Sequence, residues 1–563
     1  MDPLDEDRQR EPRMAPGNDR EPQIAKVELD RKLDNPKSTL AERCGAVAGY
    51  AILLQGKSSA SVCNSAFLKL ADIFEKTPDN MLRFAVVNVM GRCHTQLMRV
   101  FNTDILVHKV HTVLEKSIDP IARSLALRAL ACMAELLIHN QRIHSDVRNA
   151  LRSPNEIEQT ACILCVQRLS QLSQAFASGA VSLIGGLVIA LETPLQQRLH
   201  LISVLQHMDR DPRTVLQSRQ ILHELMHRYP VALIATACIR TLSSLTIRSR
   251  MGIDEQKELL LSNIQHECRS QVRLEGARSL ASLLRRAPSC VSNALANRLL
   301  ALARQSSERH DERGAAATLG TVMNLARTNS LADTLISREM VQGFKDLYAA
   351  PHAPGTRKLS ATAFALLLYT CVRSGAFPTG GGGGGGGGDM VDTLVVDVTE
   401  VASQLISETE TLAQCDIDLM DALLPLIALL LQPGPGGGGR GVLTAGRKLL
   451  QGCRLALVRT WDNRDPHGLL VVVVERLNAA CILLDPDALL ETHKVVANIA
   501  RDQRARTRGS CAGDVTERKA KSVALISSLL LLGAGTKLDQ AETVRGVRDW
   551  CFECLDDDAW IGD

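Results

Sequence analysis

The sequence predicts an all-α fold assembled from stacked helix–turn–helix units. Three observations carry that reading: an apolar stripe of helical period, its recurrence 40 residues later, and an apolar composition almost free of aromatics. Within Asn64 to Leu137, Phe67, Leu70, Ala71 and Phe74 fall at i, i+3, i+4 and i+7, the buried face of an amphipathic helix. Thr77-Pro78-Asp79-Asn80 turns the chain and Met81 to Met90 begins a second helix. Periodicity resumes from Ile105 to Leu114, breaks at Asp119-Pro120, and continues from Ile121 to Leu137. Asp119 suits an N-cap, and Pro120 the first helical position, where its missing N–H costs nothing. Arg83 and Arg123 hold the same place in the two units, 40 residues apart. That is the period of a HEAT or armadillo array.

Apolar residues are 45% of the 563 and aromatics 3%, so Leu, Ala, Val and Ile fill the core, as in helices packed through small and branched side chains. A repeat stack of this length needs no single central core. The net charge of +3 is too balanced to mark the whole chain as a nucleic-acid binder. The 16 cysteines lie mostly inside apolar helical patterns, as Cys132 and Cys238 do, and behave there as small hydrophobes. With a charged, Pro-containing start that has no apolar signal region, they favour a reducing compartment. The richest apolar run, Leu419 to Leu431, contains Asp421 and Pro425 and is too short to span a bilayer, so no membrane role is expected.

In chain order, residues 1–23 are expected to be a disordered tail and 24–379 the helical-repeat array. After Arg83 and Arg123 the expected register runs through Gln159, Gln217, Arg273, Arg313 and Lys358, at intervals of 40, 36, 58, 56, 40 and 45; the two long ones point to an extra helix or longer turns. Gly380 to Gly388 and the stretch 433–441, with its PGPGGGG, read as flexible linkers, making the fold class a HEAT/armadillo-like α-solenoid with Gly-rich flexible insertions. No strand precedes the glycines and no Lys-Ser/Thr follows, which argues against a phosphate loop. Residues 389–432 form a helical segment (Val391 to Leu412, Asp416 to Leu431). Residues 442–563 form a C-terminal helical region with Leu443 to Val458, Leu469 to Leu484 and Val523 to Leu532, in which Val471 to Val474 reads equally as a short strand. An acidic, Trp-containing tail closes the sequence.

Candidate chemistry is sparse. His223-Glu224-Leu225-Met226-His227 matches H-E-x-x-H, which on a helix sets two histidines on one face to bind zinc, with Glu224 activating water. Against it, Arg228-Tyr229-Pro230 ends the helix without a third ligand, although Glu258 is conceivable. Leu222, Leu225, Met226 and Tyr229 complete an apolar face, which leaves the histidines with Arg219 and Gln220 on a solvated one. Cys162 and Cys165 lie in an apolar helix and read as core thiols; Cys551 and Cys554 form a second CxxC, open to a ligand from a partner. Arg501, Arg504, Arg506 and Arg508 are the most basic run, able to meet RNA phosphate or an acidic surface, but no aromatics interleave with them. No nucleophile elbow, Walker A loop or Rossmann fingerprint is present.

NSAFLKLADIF (Asn64 to Phe74), NMLRF (Asn80 to Phe84), DPIARSLALRAL (Asp119 to Leu130) and, further on, LISVLQHMDRD (Leu201 to Asp211) closely resemble the N-terminal α-helical repeats of the Integrator complex subunit 7 family. The clear resemblance covers Leu29 to Pro230. It implies a non-catalytic nuclear scaffold whose partners are other Integrator subunits and, indirectly, RNA polymerase II, protein phosphatase 2A and nascent RNA. The complex cleaves small nuclear RNA precursors and other nascent transcripts, with the endonuclease and phosphatase in other subunits. The resemblance therefore implies no catalytic residue, cofactor, metal or small-molecule substrate here. The glycine runs are foreign to the family pattern, and the chain stops before the family's C-terminal region, as a truncated or divergent member would. Read on the repeats alone, a transport receptor or phosphatase scaffold is the alternative, and a zinc hydrolase built on His223, Glu224 and His227 a more distant one.

Overall fold

Pro, Asp, Asn and Ser punctuate the apolar stripes, and each punctuation mark becomes a tight turn between two helices. The computed structural model describes residues 20–56, 58–327, 338–349, 354–374, 386–407, 414–430, 442 and 444–453. Contacts divide the chain into two units, Met1–Gly252 and Ile253–Asp563.

The first unit contains six helix pairs: α1 (Arg20–Asp34) with α2 (Leu40–Gln55), α3 (Ala60–Lys76) with α4 (Asn80–Arg92), and, after the short α5 (His94–Leu97), α6 (Thr103–Lys116) with α7 (Pro120–Cys132). They continue as α8 (Gln141–Ala150) with α9 (Glu156–Leu172), α10 (Gln174–Ile189) with α11 (Leu195–Val204), and α12 (Pro212–Arg228) with α13 (Ala232–Ser249). The second helices α2, α4, α7, α9, α11 and α13 pack each on the next and make one layer. Of the first helices, α1, α3 and α6 pack in succession, as do α8, α10 and α12. The second unit repeats the scheme with α14 (Ile253–His266) and α15 (Ser270–Arg286), α16 (Asn293–Glu308) and α17 (Glu312–Arg327), α18 (Arg338–Ala349) and α19 (Pro354–Ser374), and α20 (Gly386–Ser407) and α21 (Gln414–Leu430). Pairs that contact only their neighbours define a HEAT/armadillo-like α-solenoid.

The local signals work as the sequence suggests. Asp119 caps α7 through the N–H groups of Ile121 and Ala122, with Pro120 at the first position; Asp79 and Asp211 cap α4 and α12 in the same way. Phe67, Leu70, Ala71 and Phe74 are all fully buried. The helix expected over Ile121 to Leu137 is broken, however: α7 ends at Cys132 and a 3-10 turn carries Ala134–Leu137.

The register needs correcting. From α2 to α19, the fourth residue of each second helix is Arg43, Arg83, Arg123, Gln159, Arg198, Ala235, Arg273, Ala315 and Arg357 in turn, at an even spacing close to 40 residues. Gln217 belongs to a first helix, α12, while Arg313 and Lys358 sit beside the true positions. The two long intervals span Arg198, which holds the position in α11, and Ala235, which holds it in α13. The common position has a physical cause. At its start, a second helix lies against the C-terminal carbonyls of its partner, where a cation is favoured. Arg83 Nε donates to Phe74 O (3.1 Å), Arg123 Nη1 to Leu114 O (2.8 Å), Gln159 Nε2 to Leu151 O (3.1 Å), Arg198 Nη2 to Ala190 O (2.6 Å) and Arg357 Nε to Tyr348 O (3.0 Å). Arg123 and Arg273 also reach forward into the next pair, to Glu158 (2.7 Å) and Asp311 (2.6 Å).

Of the stretch 1–23, expected to be disordered, residues 20–23 are instead the start of α1, and residues 1–19 lie outside the described residues. Likewise Gly386 to Gly388 form the first turn of α20 instead of a linker, and the rest of that glycine run and the stretch 433–441 lie outside. So do Val471 to Val474, the helices expected after residue 453, the Arg501 to Arg508 run, Cys551, Cys554 and the acidic tail.

Candidate interaction site

The two helix layers of the first unit differ in how their charges are used. On the first-helix side, charges are paired between neighbours: Asp34 with Lys69 (2.6 Å), Asp72 with Lys109, Glu115 with Arg142 (2.5 Å) and Asp146 with His111 Nε2 (2.9 Å). Each partly exposed pair is worth little on its own, but each cancels a cation against a carboxylate of the neighbouring pair. The second-helix face is built otherwise. A cleft of about 570 Å³ runs across α4, α7 and α9, and Arg92, Arg128 and Arg168 line it. None of the three makes a hydrogen bond or ion pair among the described residues. Phe84 (42% exposed) and Leu164 (44%) put apolar surface between them.

The position of these side chains follows from the repeat. Counting from the fourth residue of each helix (Arg83, Arg123, Gln159), Asn88, Arg128 and Leu164 stand five residues on, and Arg92, Cys132 and Arg168 nine on. Places four residues apart share one helix face, so stacked repeats carry them into parallel rows. His94 and Glu135 (3.8 Å apart) close one side of the cleft, and Gln171 lines it as well.

Beneath Arg168 lies a buried histidine. The Nε2 atom of His207 faces the side-chain amides of Gln171 (3.1 Å) and Gln167 (3.4 Å), which donate to a neutral ring, and its Nδ1 is buried without a partner. Burial, then the positive Arg248, push its pKa down to about 4; Asp209 opposes the shift and Arg168 adds to it. The unfolded chain, with an ordinary imidazole near 6.5, binds that proton more tightly. This stability is therefore complete above about pH 6.5 and lost as the pH falls toward 4. Thermal melts should show about 2 kcal/mol less stability at about pH 5 than at neutrality, and His207→Gln should flatten that slope. An unchanged slope in the variant would show that other groups set the acid limit.

The residues singled out by motif fall elsewhere. His223, Glu224 and His227 lie on α12, where Glu224 and His227 are exposed and Glu224 approaches Arg228 (3.9 Å). Arg219, expected on that solvated face, is instead buried, its Nη1 donating to Met251 O (3.1 Å) past the end of α13. Glu258 is on α14, in the other unit, and pairs with Arg298 (2.7 Å). Among the described residues one trio of metal-ligand types converges, His111, Glu115 and Asp146; Arg142 also points into it, which makes it an ion network across α6 and α8. Cys162 and Cys165 are fully buried, and burial raises both thiols, that of Cys165 to about 12. Among the described residues no helix is long and apolar enough to cross a membrane.

With the repeats and the cleft in place, comparison with known proteins is informative. The family described as Integrator complex subunit 7, N-terminal, matches residues 27–376. The chain belongs to this family. The match runs through both layers of helices from α1 to α19, well past Pro230, where the resemblance in the sequence alone fades. Integrator complex subunit 7 of Gallus gallus is 33% identical over 264 residues, which are 47% of this chain and 27% of that protein; the Homo sapiens protein is 31% identical over the same length and shares. The matched stretch thus spans about a quarter of the length of these curated relatives. Among solved structures, Kap95p with RanGDP aligns at a TM-score of 0.52 and 11% identity, covering 95% of this chain and 69% of that one; the likeness is one of fold.

Proposed function

We propose that the chain is a non-catalytic scaffold subunit of the nuclear Integrator complex. It binds other Integrator subunits through the faces of its helix layers and acts with RNA polymerase II in small nuclear RNA 3′-end processing and attenuation of nascent transcription. Contact with the polymerase, with protein phosphatase 2A and with nascent RNA is indirect. The observation that carries this reading is the family match over residues 27–376, because it coincides with the repeat array that offers the binding faces. A solenoid buries its apolar stripes within the stack and leaves long polar surfaces for partners, so its work is done by shape and charge complementarity. The exposure of Glu224 and His227 on α12 and the Arg142 side chain in the His111 trio both speak against metal hydrolysis.

Affinity purification of the tagged chain from nuclear extract, read by mass spectrometry, tests the assignment. Other Integrator subunits are expected in near-stoichiometric amounts. Recovery of transport factors or an unrelated phosphatase assembly in their place would overturn it.

A further inference from the structure

We propose that the cleft across α4, α7 and α9 is a docking site for an extended acidic peptide segment of a partner protein. The inference deepens the scaffold reading, on which it rests, by assigning one surface and the chemistry of its occupant.

The argument begins with the unpaired charges. On the first-helix side, Lys69, Lys109 and Arg142 are each matched by a carboxylate of the neighbouring helix pair. Arg92, Arg128 and Arg168 come from three successive second helices, converge on one cleft and have no such match. Three like charges held together repel one another, an arrangement that an anionic occupant relieves. Arginine suits that role, since its planar fork binds carboxylates through paired hydrogen bonds.

The occupant's form follows from the spacing. Packed helices lie about 8–10 Å apart. An extended chain in the polyproline II conformation has about three residues per turn and advances about 3.1 Å per residue, so every third side chain lies on one side and meets the next helix. Acidic side chains at i, i+3 and i+6 would therefore meet arginines on three helices in turn. Phe84 and Leu164, both exposed within the cleft, supply contacts for apolar residues between them. The alternative anion is a single-stranded nucleic acid, which needs a run of stacking faces. Phe84 and His94 are the cleft's two aromatic rings, and His94 is held toward Glu135, so the lining offers no run of stacking faces.

Fluorescence anisotropy on the full chain tests the proposal with three labelled probes of equal length. These are a peptide with Glu at every third position and Leu or Phe between, the same peptide with Gln for Glu, and oligouridine. The Glu peptide is expected to bind, with affinity falling as salt rises. The Gln peptide should bind at least about tenfold more weakly, and Arg128→Glu should weaken the Glu peptide by about tenfold or more. Arg92→Glu with Arg168→Glu, both at exposed positions, provides a second variant whose fold is checked by circular dichroism. Arg285→Glu, exposed on α15 in the other unit, should change nothing. Binding that survives both groove variants, equal binding of the Gln peptide, or preference for oligouridine would each overturn the proposal. Nuclear co-purification separates the two readings: groove variants that bind no peptide yet retain Integrator subunits leave the scaffold assignment standing, whereas peptide binding without those subunits overturns that assignment alone.

Discussion

Asp311→Ala is expected to destabilise the second unit by about 3–5 kcal/mol, the usual consequence of removing one partner of a buried ion pair. Arg273 and Asp311 are each 8% exposed. Arg273 donates from Nε (2.9 Å) and Nη2 (2.6 Å) to Asp311 Oδ2, while its Nη1 donates to the carbonyls of Glu267 and Cys268. Without the carboxylate, the guanidinium stays buried with half its donors unsatisfied. Asp311 has a second duty, since its Oδ1 accepts from Gly314 N–H (3.1 Å) at the start of α17, so the helix also loses a cap worth about 1 kcal/mol. The loss is a large share of the stability of a typical domain, about 5–15 kcal/mol. Urea unfolding followed by circular dichroism measures it. The double variant Arg273→Met with Asp311→Leu separates pairing from packing, because two apolar side chains leave no charge stranded. It should recover most of the loss; if it melts with the single variant, shape and not charge holds the two pairs together.

That ion pair also shows what the sequence does and does not disclose. Arg83, Arg123 and Arg273 stand out because a charged residue interrupts an apolar run just after a turn, and their regular recurrence gives the period. Arg198 is hidden in the sequence: Pro194 caps its helix and no Asp precedes it, so nothing marks LQQRLHLIS as equivalent to DPIARSLAL. Arg357 and Lys358 are adjacent cations that look alike until the helix start is known. Lys358 is itself buried against Asp416 (2.6 Å) between α19 and α21, a contact between residues 58 positions apart that no local pattern signals.

The cleft is less legible still. Arg92, Arg128 and Arg168 are separated by 36 and 40 residues and do not share one repeat position, so a periodicity search passes over them. Their significance depends on which carboxylates reach them, and that is a property of packed helices. The first-helix face also carries charge, and only the structure shows that Lys69, Lys109 and Arg142 there are matched between neighbours while Arg92, Arg128 and Arg168 are not. The H-E-x-x-H match is the opposite case. Its spacing is local and therefore visible, but further ligands would have to come from other helices, and Glu258 pairs with Arg298.

Phe67→Ala should cost about 3–5 kcal/mol, by lost burial and by the cavity left behind, and Phe67→Asp should unfold the pair outright. Phe67 is fully buried on α3, a helix that packs against α4, α5 and α6 as well as α1 and α2 and so joins three successive helix pairs. In a stack whose stability is a sum of repeats and interfaces, weakening one interior pair also weakens the interfaces on either side. The damage should therefore spread to α4, and with it the cleft. Hydrogen exchange is the sharpest readout: amides of α3, α4, α6 and α7 should lose protection in Phe67→Ala well before those of α14 to α17, which belong to the other unit. Uniform loss across both units would mean that the chain unfolds as one body and not repeat by repeat. If the local pattern holds, the variant will bind the acidic peptide weakly although Arg92, Arg128 and Arg168 are all intact, because the charges are useful only while the core stripe beneath them keeps three helices in register.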